Sequence, residues 1–236
     1  METSINSENK LTMVTQITNE ARFQILEFDE LKGISDISKM NEIQMLNKYN
    51  VKLRQIRIIL ENSGVKLNYE SLSYMKGDIS NKKDNLLSGI SKKILGGEIK
   101  NSLYGKGEIF LEPSFEYFAL IKLDDEEIKI SQSTFCACED DIGLTLSEKD
   151  NIDSDYVLSG SGIVAIKLPV PENEVFKCKI YNDTVKVNGD IIALISGKIK
   201  KSKEIISFGS GEDTVIDVYN GIGEVWIIPT KKIYNR

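Results

Sequence analysis

A segment that recurs three times constrains this chain more than any other feature. Residues 56–79, 119–142 and 176–199 align without a gap, at spacings of 63 (119 − 56) and 57 (176 − 119). Each copy holds the same kernel: Val65-Lys66-Leu67, Ile128-Lys129-Ile130 and Val185-Lys186-Val187. Such self-similarity means that one supersecondary unit is used repeatedly, because a unit this short cannot bury its apolar face alone. The fold must place three equivalent units.

The units read as β. Ile56, Ile58 and Leu60 alternate with polar or outward positions, as do Ala119, Ile121 and Leu123, and Phe176, Cys178 and Ile180. Period-two alternation marks half-buried strands. A polar connector follows each run: Glu61-Asn62-Ser63-Gly64, Asp124 to Glu127, and Tyr181-Asn182-Asp183-Thr184. Two strands around a short polar connector predict a hairpin. A third strand is expected around Leu72 and Tyr74, Phe135 and Ala137, and Ile192 and Leu194. A second signature, Gly-x-Gly then an apolar strand and proline, occurs at Gly105 to Pro113, Gly160 to Pro169 and Gly221 to Pro229. The first two precede repeats two and three. The last has no repeat after it, so the C-terminal strand is expected to complete the first unit, removing an exposed edge.

These readings give an all-β fold: a sandwich or prism-like body of three units in a pseudo-threefold arrangement, plus one or two short helices. Residues 1–50 form an N-terminal extension, partly strand and helix, with Met1 to about Glu20 polar and loose. Residues 51–230 form a single β domain, with repeats at 51–104, 105–159 and 160–220 closed by strand 221–230. One helix is expected from Asp84 to Gly97, capped by Asp84 and ended by Gly96-Gly97, and another from Asp36 to Asn47.

The chain has 236 residues and no histidine. That removes Ser-His-Asp, Cys-His and histidine-based zinc chemistry. The net charge of −6 gives no global pull toward phosphate. Cys136, Cys138 and Cys178 are an odd set without disulfide spacing, which fits a reducing compartment. No secretory signal and no apolar run long enough to span a bilayer is visible, so the expected location is cytoplasmic.

Four features invite a site. In a strand, Cys136 and Cys138 would share one face and could hold a soft metal, but their repeat equivalents are Ser73 and Met75, and Ala193 and Ile195, which favours packing. The Gly-x-Gly turns lack the strand-before, helix-after context of a phosphate loop and read as bends or bulges. Lys66, Lys129 and Lys186 are equivalent and could ring an axis around an anion; solvent-facing lysines that guard strand edges are the simpler reading. Neither Asp124-Asp125-Glu126-Glu127 nor Glu139-Asp140-Asp141 has calcium-loop spacing, and the first occupies a predicted hairpin turn, so it reads as a solvated turn. Trp226 could stack a base, yet it alternates in phase with core residues. No catalytic, cofactor-binding or metal-binding residue is assigned, and no cofactor is expected.

Three stretches resemble a known family. They are Tyr74-Met75-Lys76-Gly77-Asp78; Leu95-Gly96-Gly97-Glu98 with Tyr104-Gly105-Lys106-Gly107-Glu108-Ile109; and Ser210-Gly211-Glu212 with Tyr219-Asn220-Gly221-Ile222-Gly223-Glu224-Val225-Trp226-Ile227. Together they resemble the signatures of the altered inheritance of mitochondria protein 24 family, over residues 51–230. The resemblance implies a β unit like the tryptophan RNA-binding attenuation protein, repeated inside one chain, and brings no agreed catalytic residues. The expected function is a non-enzymatic scaffold or interaction protein that binds a protein partner or itself. One alternative is nucleic-acid binding through Lys198 to Lys203, disfavoured by the acidic balance. The other is a small-ligand or anion receptor at a repeat junction.

Overall fold

Alternating apolar residues draw most of this chain into strands. A computed structural model describes residues 11–33, 37–81, 102–147, 155–208 and 212–234. Within them run β1 (Leu11–Thr18), β2 (Ala21–Phe28), α1 (Ile37–Lys48), β3 (Arg54–Leu67), β4 (Leu72–Asn81), β5 (Ser102–Leu111), β6 (Tyr117–Ser131) and β7 (Phe135–Glu139). There follow β8 (Gly143–Leu146), β9 (Asp155–Leu168), β10 (Phe176–Val187), β11 (Ile192–Phe208), β12 (Glu212–Ile227) and α2 (Lys231–Tyr234). The class is all-β: one large antiparallel sheet of 12 strands, with two short helices. The helix expected near 36–47 is α1; the one expected from Asp84 to Gly97 lies outside the described residues.

The polar connectors do not turn the chain. β3, β6 and β10 each run through their connector as one long strand. Each absorbs it as a bulge, between Glu61 and Ser63, between Leu123 and Glu126, and between Tyr181 and Asp183. Asn62, Asp125 and Asn182 take left-handed backbone there, with φ of 61°, 54° and 51°. Asn and Asp tolerate that conformation, so one residue can be taken up without reversing the strand. Both halves of each bulged strand then pair with one Gly-x-Gly strand: β3 with β5, β6 with β9 and β10 with β12.

The third strands carry a second irregularity, between Leu72 and Tyr74, Phe135 and Ala137, and Ile192 and Leu194. They too pair with the Gly-x-Gly strands, β4 with β5, β7 with β9 and β11 with β12. The Gly-x-Gly strand therefore ends each segment rather than opening the next. This overturns the expected closure. Strand 221–230 does not dock on the first segment, because β12 is paired with β10 and β11 and the first segment already has β5. Pairing near neighbours in sequence closes shorter loops and costs less chain entropy.

Two ladders join successive segments, and they have the same register. Val65, Lys66 and Leu67 of β3 face Glu139, Cys138 and Ala137 of β7. Ile128, Lys129 and Ile130 of β6 face Ser196, Ile195 and Leu194 of β11. Each residue of the first junction maps onto the second by the spacings of 63 or 57 found in the sequence.

From Leu11 to Phe28 the N-terminal extension is tied to the sheet rather than loose. β2 pairs along β3 from Ala21↔Leu60 to Glu27↔Arg54, and β1 pairs with β2. Ala21 and Phe23 are buried against Ile56 and Ile58.

β9 lies between two cores. Val164 and Ile166 enter a cluster with Leu123, Phe135, Tyr156, Leu194 and Trp226. Ile163 and Ala165 enter a second with Phe23, Ile58, Leu60 and Ile109. A sheet whose central strand is covered on both faces by its own distant strands must coil, as the right-handed twist of strands favours. The third segment has a smaller cluster around Ile180, Val187, Tyr219 and Val225.

Gly105 illustrates why the Gly-x-Gly positions hold glycine. Its φ is 148°, and a Cβ there would run into the carbonyl oxygen of Asp78 on β4. Gly105→Ala is expected to lower unfolding stability by about 2–4 kcal/mol, from backbone strain and loosening of β4, read as a shift of the urea midpoint.

Candidate functional site

β11 is 17 residues long, yet it pairs with β6 only at Leu194, Ile195 and Ser196. Beyond that short ladder β11 pairs only with β12 among the described residues, and past Lys203 and Asp217, where β10 ends, the β11–β12 ribbon runs on alone. A cleft of about 750 Å³ opens at this junction. Lys129, Ser131 and Asp155 form one wall, Lys201, Lys203, Asp217 and Tyr219 the other, with Ile192 to Ile195 beneath. Strand alternation decides which lysines reach it. Lys201 and Lys203 line the cleft, whereas Lys198 and Lys200 fall in the opposite phase of β11. The basic run is thus divided between two faces.

The charges in the cleft are largely matched. Lys201 Nζ lies 2.8 Å from Asp217 Oδ2 and 5.6 Å from the centre of the Tyr219 ring. Burial alone would lower the Lys201 pKa, but its hydrogen bond to Asp217 and the electrostatic pull of Tyr219 and Asp217 outweigh it and hold the group above its ordinary value. Burial pushes the Tyr219 phenol up, against the opposing pull of Lys201. Near neutral pH the pair is an ammonium beside a protonated phenol. Both groups can donate hydrogen bonds in that state.

The three equivalent lysines do not gather round an axis. Lys66 donates to the carbonyl oxygens of Asp140 and Ile142. Lys129 lies 3.7 Å from Glu127, and Lys186 lies 2.7 Å from Glu204. Each is held by its own partner in its own segment or junction.

The two buried cysteines part company. The irregularity in β7 between Phe135 and Ala137 shifts the side-chain phase, so Cys136 enters one core cluster and Cys138 the other. This corrects the expectation of a shared face, and it separates the two thiols as joint ligands. Burial pushes both thiols from 9.0 up to about 12. Folded protein therefore holds these protons after the unfolded chain has released them, so their contribution to stability is intact below pH 9.0 and is lost as pH rises toward 12. At pH 8, iodoacetamide is expected to label Cys178, which is partly exposed, and to leave Cys136 and Cys138 unlabelled until urea is added; peptide mass mapping reads the result.

The acidic clusters also diverge. Asp124 to Glu127 sit exposed at the β6 bulge. Glu139, by contrast, is 1% exposed. Its Oε1 accepts from the Ala21 N–H at 2.8 Å, and its Oε2 accepts from the Asn19 amide at 2.8 Å and the Ile163 N–H at 2.9 Å. Glu139 is withdrawn from solvent because the N-terminal extension and β9 bring donors to it. Gly162 leaves the space: a Cβ there would lie 2.9 Å from Glu139 Oε2. The one sign in the sequence is that Lys76 and Ser196 stand at the equivalent positions, so the carboxylate breaks the repeat. Among the described residues no three His, Cys, Asp or Glu side chains gather as a metal site.

Trp226 is buried, with its indole N–H donating to Glu224 at 2.7 Å and Lys177 4.5 Å above the ring. It borders a smaller apolar hollow of about 280 Å³ between β1 and β6. No helix among the described residues is long and apolar enough to cross a membrane.

The fold defines an all-β protein built on one large antiparallel sheet. The profile of the mitochondrial biogenesis AIM24 family matches residues 47–230, most of the chain, and the protein belongs to that family. Among solved structures, the chain is similar to protein SPYM3_0169 from Streptococcus pyogenes. The two share 18% identity and a TM-score of 0.57, over 74% of this chain and 88% of that one, a likeness of fold. No curated protein matches the sequence closely enough to count as a relative.

Proposed function

We propose that this protein is a non-catalytic interaction protein: a scaffold of three copies of one β module, each resembling the unit of the tryptophan RNA-binding attenuation protein. The three modules correspond to β3–β5, β6–β9 and β10–β12. Cytoplasmic residence belongs to the same reading. The observation that carries it is the state of the sheet edges. Among the described residues β4 pairs only with β5, and β10 only with β12. These edges carry large apolar side chains in solvent, with Tyr74 52%, Met75 46%, Phe176 62% and Tyr181 79% exposed. Unpaired apolar edges are a hazard unless a partner covers them. Native mass spectrometry of the tagged protein at its natural abundance tests the reading. A complex of fixed stoichiometry is expected; a partnerless monomer across salt and concentration defeats it.

The cleft between β6 and the β11–β12 ribbon favours a second reading, a receptor for a small anionic ligand. Lys203 lines it with no acid within 4.0 Å among the described residues, so it can meet a carboxylate or phosphate. A thermal-shift screen of inorganic phosphate, nucleotides and carboxylates tests this; a hit is expected to vanish in Lys203→Ala, and a flat screen removes the motive. Nucleic-acid binding draws less support, because the Lys198 to Lys203 run is divided between two faces.

A further inference from the structure

The molecule applies one joining rule twice and, among the described residues, leaves its two ends unused. At each internal junction, the kernel of one segment pairs with the third strand of the next, in the same register. The rule predicts a third junction. Its kernel is Val185-Lys186-Val187 of β10, equivalent to Val65-Lys66-Leu67 and Ile128-Lys129-Ile130. Its acceptor is Tyr74-Met75-Lys76 of β4, equivalent to Ala137-Cys138-Glu139 and Leu194-Ile195-Ser196. Among the described residues these two strands share no ladder: β10 is paired on one side by β12, and β4 on one side by β5.

Burial gives the same answer independently. Ala137, Cys138 and Glu139 are buried at the first junction, and Leu194 at the second. Tyr74 and Met75 at the equivalent positions are about half exposed, at 52% and 46%. The kernels Val65, Leu67, Ile128 and Ile130 are all at 2% or less, whereas in the third kernel Val187 is buried at 5% and Val185 stays only half-buried. The chain thus carries a donor edge at one end and the matching acceptor edge at the other.

We infer that two copies of this chain join head to tail, the β10 edge of one pairing antiparallel with the β4 edge of the next, in the register Val185↔Lys76, Lys186↔Met75 and Val187↔Tyr74. The occupant of each free edge is a second copy because each internal junction already displays the mating geometry, and the two unused halves belong to the same chain. A contact between two different patches repeats from copy to copy, so it yields a closed ring if its rotation closes and a filament if it does not. The inference rests on the interaction reading above and narrows it to self-association.

Two measurements test it. In a Cys178→Ser background, Met75→Cys and Lys186→Cys are introduced together; both positions are solvent-accessible, so folding is expected to persist, checked by circular dichroism. Directly opposed residues in an antiparallel pair lie close enough for a disulfide. Mild oxidation is expected to give a ladder of covalently linked chains on a non-reducing gel, and a single linked dimer when the two single variants are mixed. An intrachain disulfide overturns the inference, since the third junction would then close within one molecule; absence of any crosslink also overturns it. Separately, native mass spectrometry is expected to show oligomers for the unaltered protein. Met75→Lys, which sets two lysines opposite each other, is expected to reduce it to monomer, and exchanging the pair (Met75→Lys with Lys186→Met) to restore assembly. Oligomers indifferent to Met75→Lys overturn the proposed register. If self-association fails while a heterologous complex of fixed stoichiometry remains, this inference falls and the broader interaction reading stands.

Discussion

Glu139→Ala is expected to cost about 3–5 kcal/mol of unfolding stability, a large share of the roughly 5–15 kcal/mol that holds an ordinary domain together. The carboxylate is buried and fully engaged, with the Ala21 and Ile163 N–H groups and the Asn19 amide all pointing at it. Removing the acceptor leaves three donors facing a hole that no side chain fills, and an orphaned buried donor forfeits its whole desolvation cost. The damage is expected to spread, because Glu139 is where β7, β9 and the start of β2 meet. Amide exchange at Ala21 and Ile163 is expected to accelerate well beyond the global effect. Glu139→Gln keeps the shape but turns an amide N–H toward other N–H groups, so an intermediate loss is expected. Denaturant melts of the three proteins decide the matter; a loss below about 1 kcal/mol in Glu139→Ala would mean that water replaces the carboxylate.

Phe135→Ala is expected to cost about 3–5 kcal/mol, from the lost transfer energy of the ring and the cavity left behind. Phe135 is 2% exposed, and its ring meets Tyr156 edge to face at a centroid distance of 5.6 Å. It sits in the cluster that joins β6, β7, β9 and β11, so the cavity opens beneath the second junction. Little can collapse into it, since strands on several sides are fixed by their ladders. Phe135→Leu, which retains most of the volume, is expected to lose less than half as much. Equal losses for the two variants would show that the Tyr156 contact, rather than the cavity, dominates.

Much of the fold was legible because strand alternation is local. Ile56, Ile58 and Leu60 announce a strand without reference to anything distant, and α1 follows from spacing alone. The bulge positions were legible in part: Asn62, Asp125 and Asn182 stand at one place in the repeat, and what failed was the inference from polar residues to chain reversal. Whether a left-handed residue reverses a strand or merely kinks it depends on the partner strand, and that partner lies up to tens of residues away. The same non-locality hid Glu139, whose donors come from β2 and β9, and misplaced the C-terminal strand. The cleft at Lys129 and Lys201 was foreseen only as a junction; its walls come from segments that meet solely in the folded sheet.

By itself the sequence determined the strand-rich class, the triple recurrence with its shared kernel and the packing role of the cysteines, because each is written in short-range pattern and residue type. Tertiary structure alone decided that the connectors are bulges, that β12 stays with its own segment, that an N-terminal hairpin docks on β3, and that the outer edges of β4 and β10 pair with no strand among the described residues. Those outcomes are set by competition among pairings distant along the chain, and register, burial and loop entropy settle that competition only once all the strands are in place.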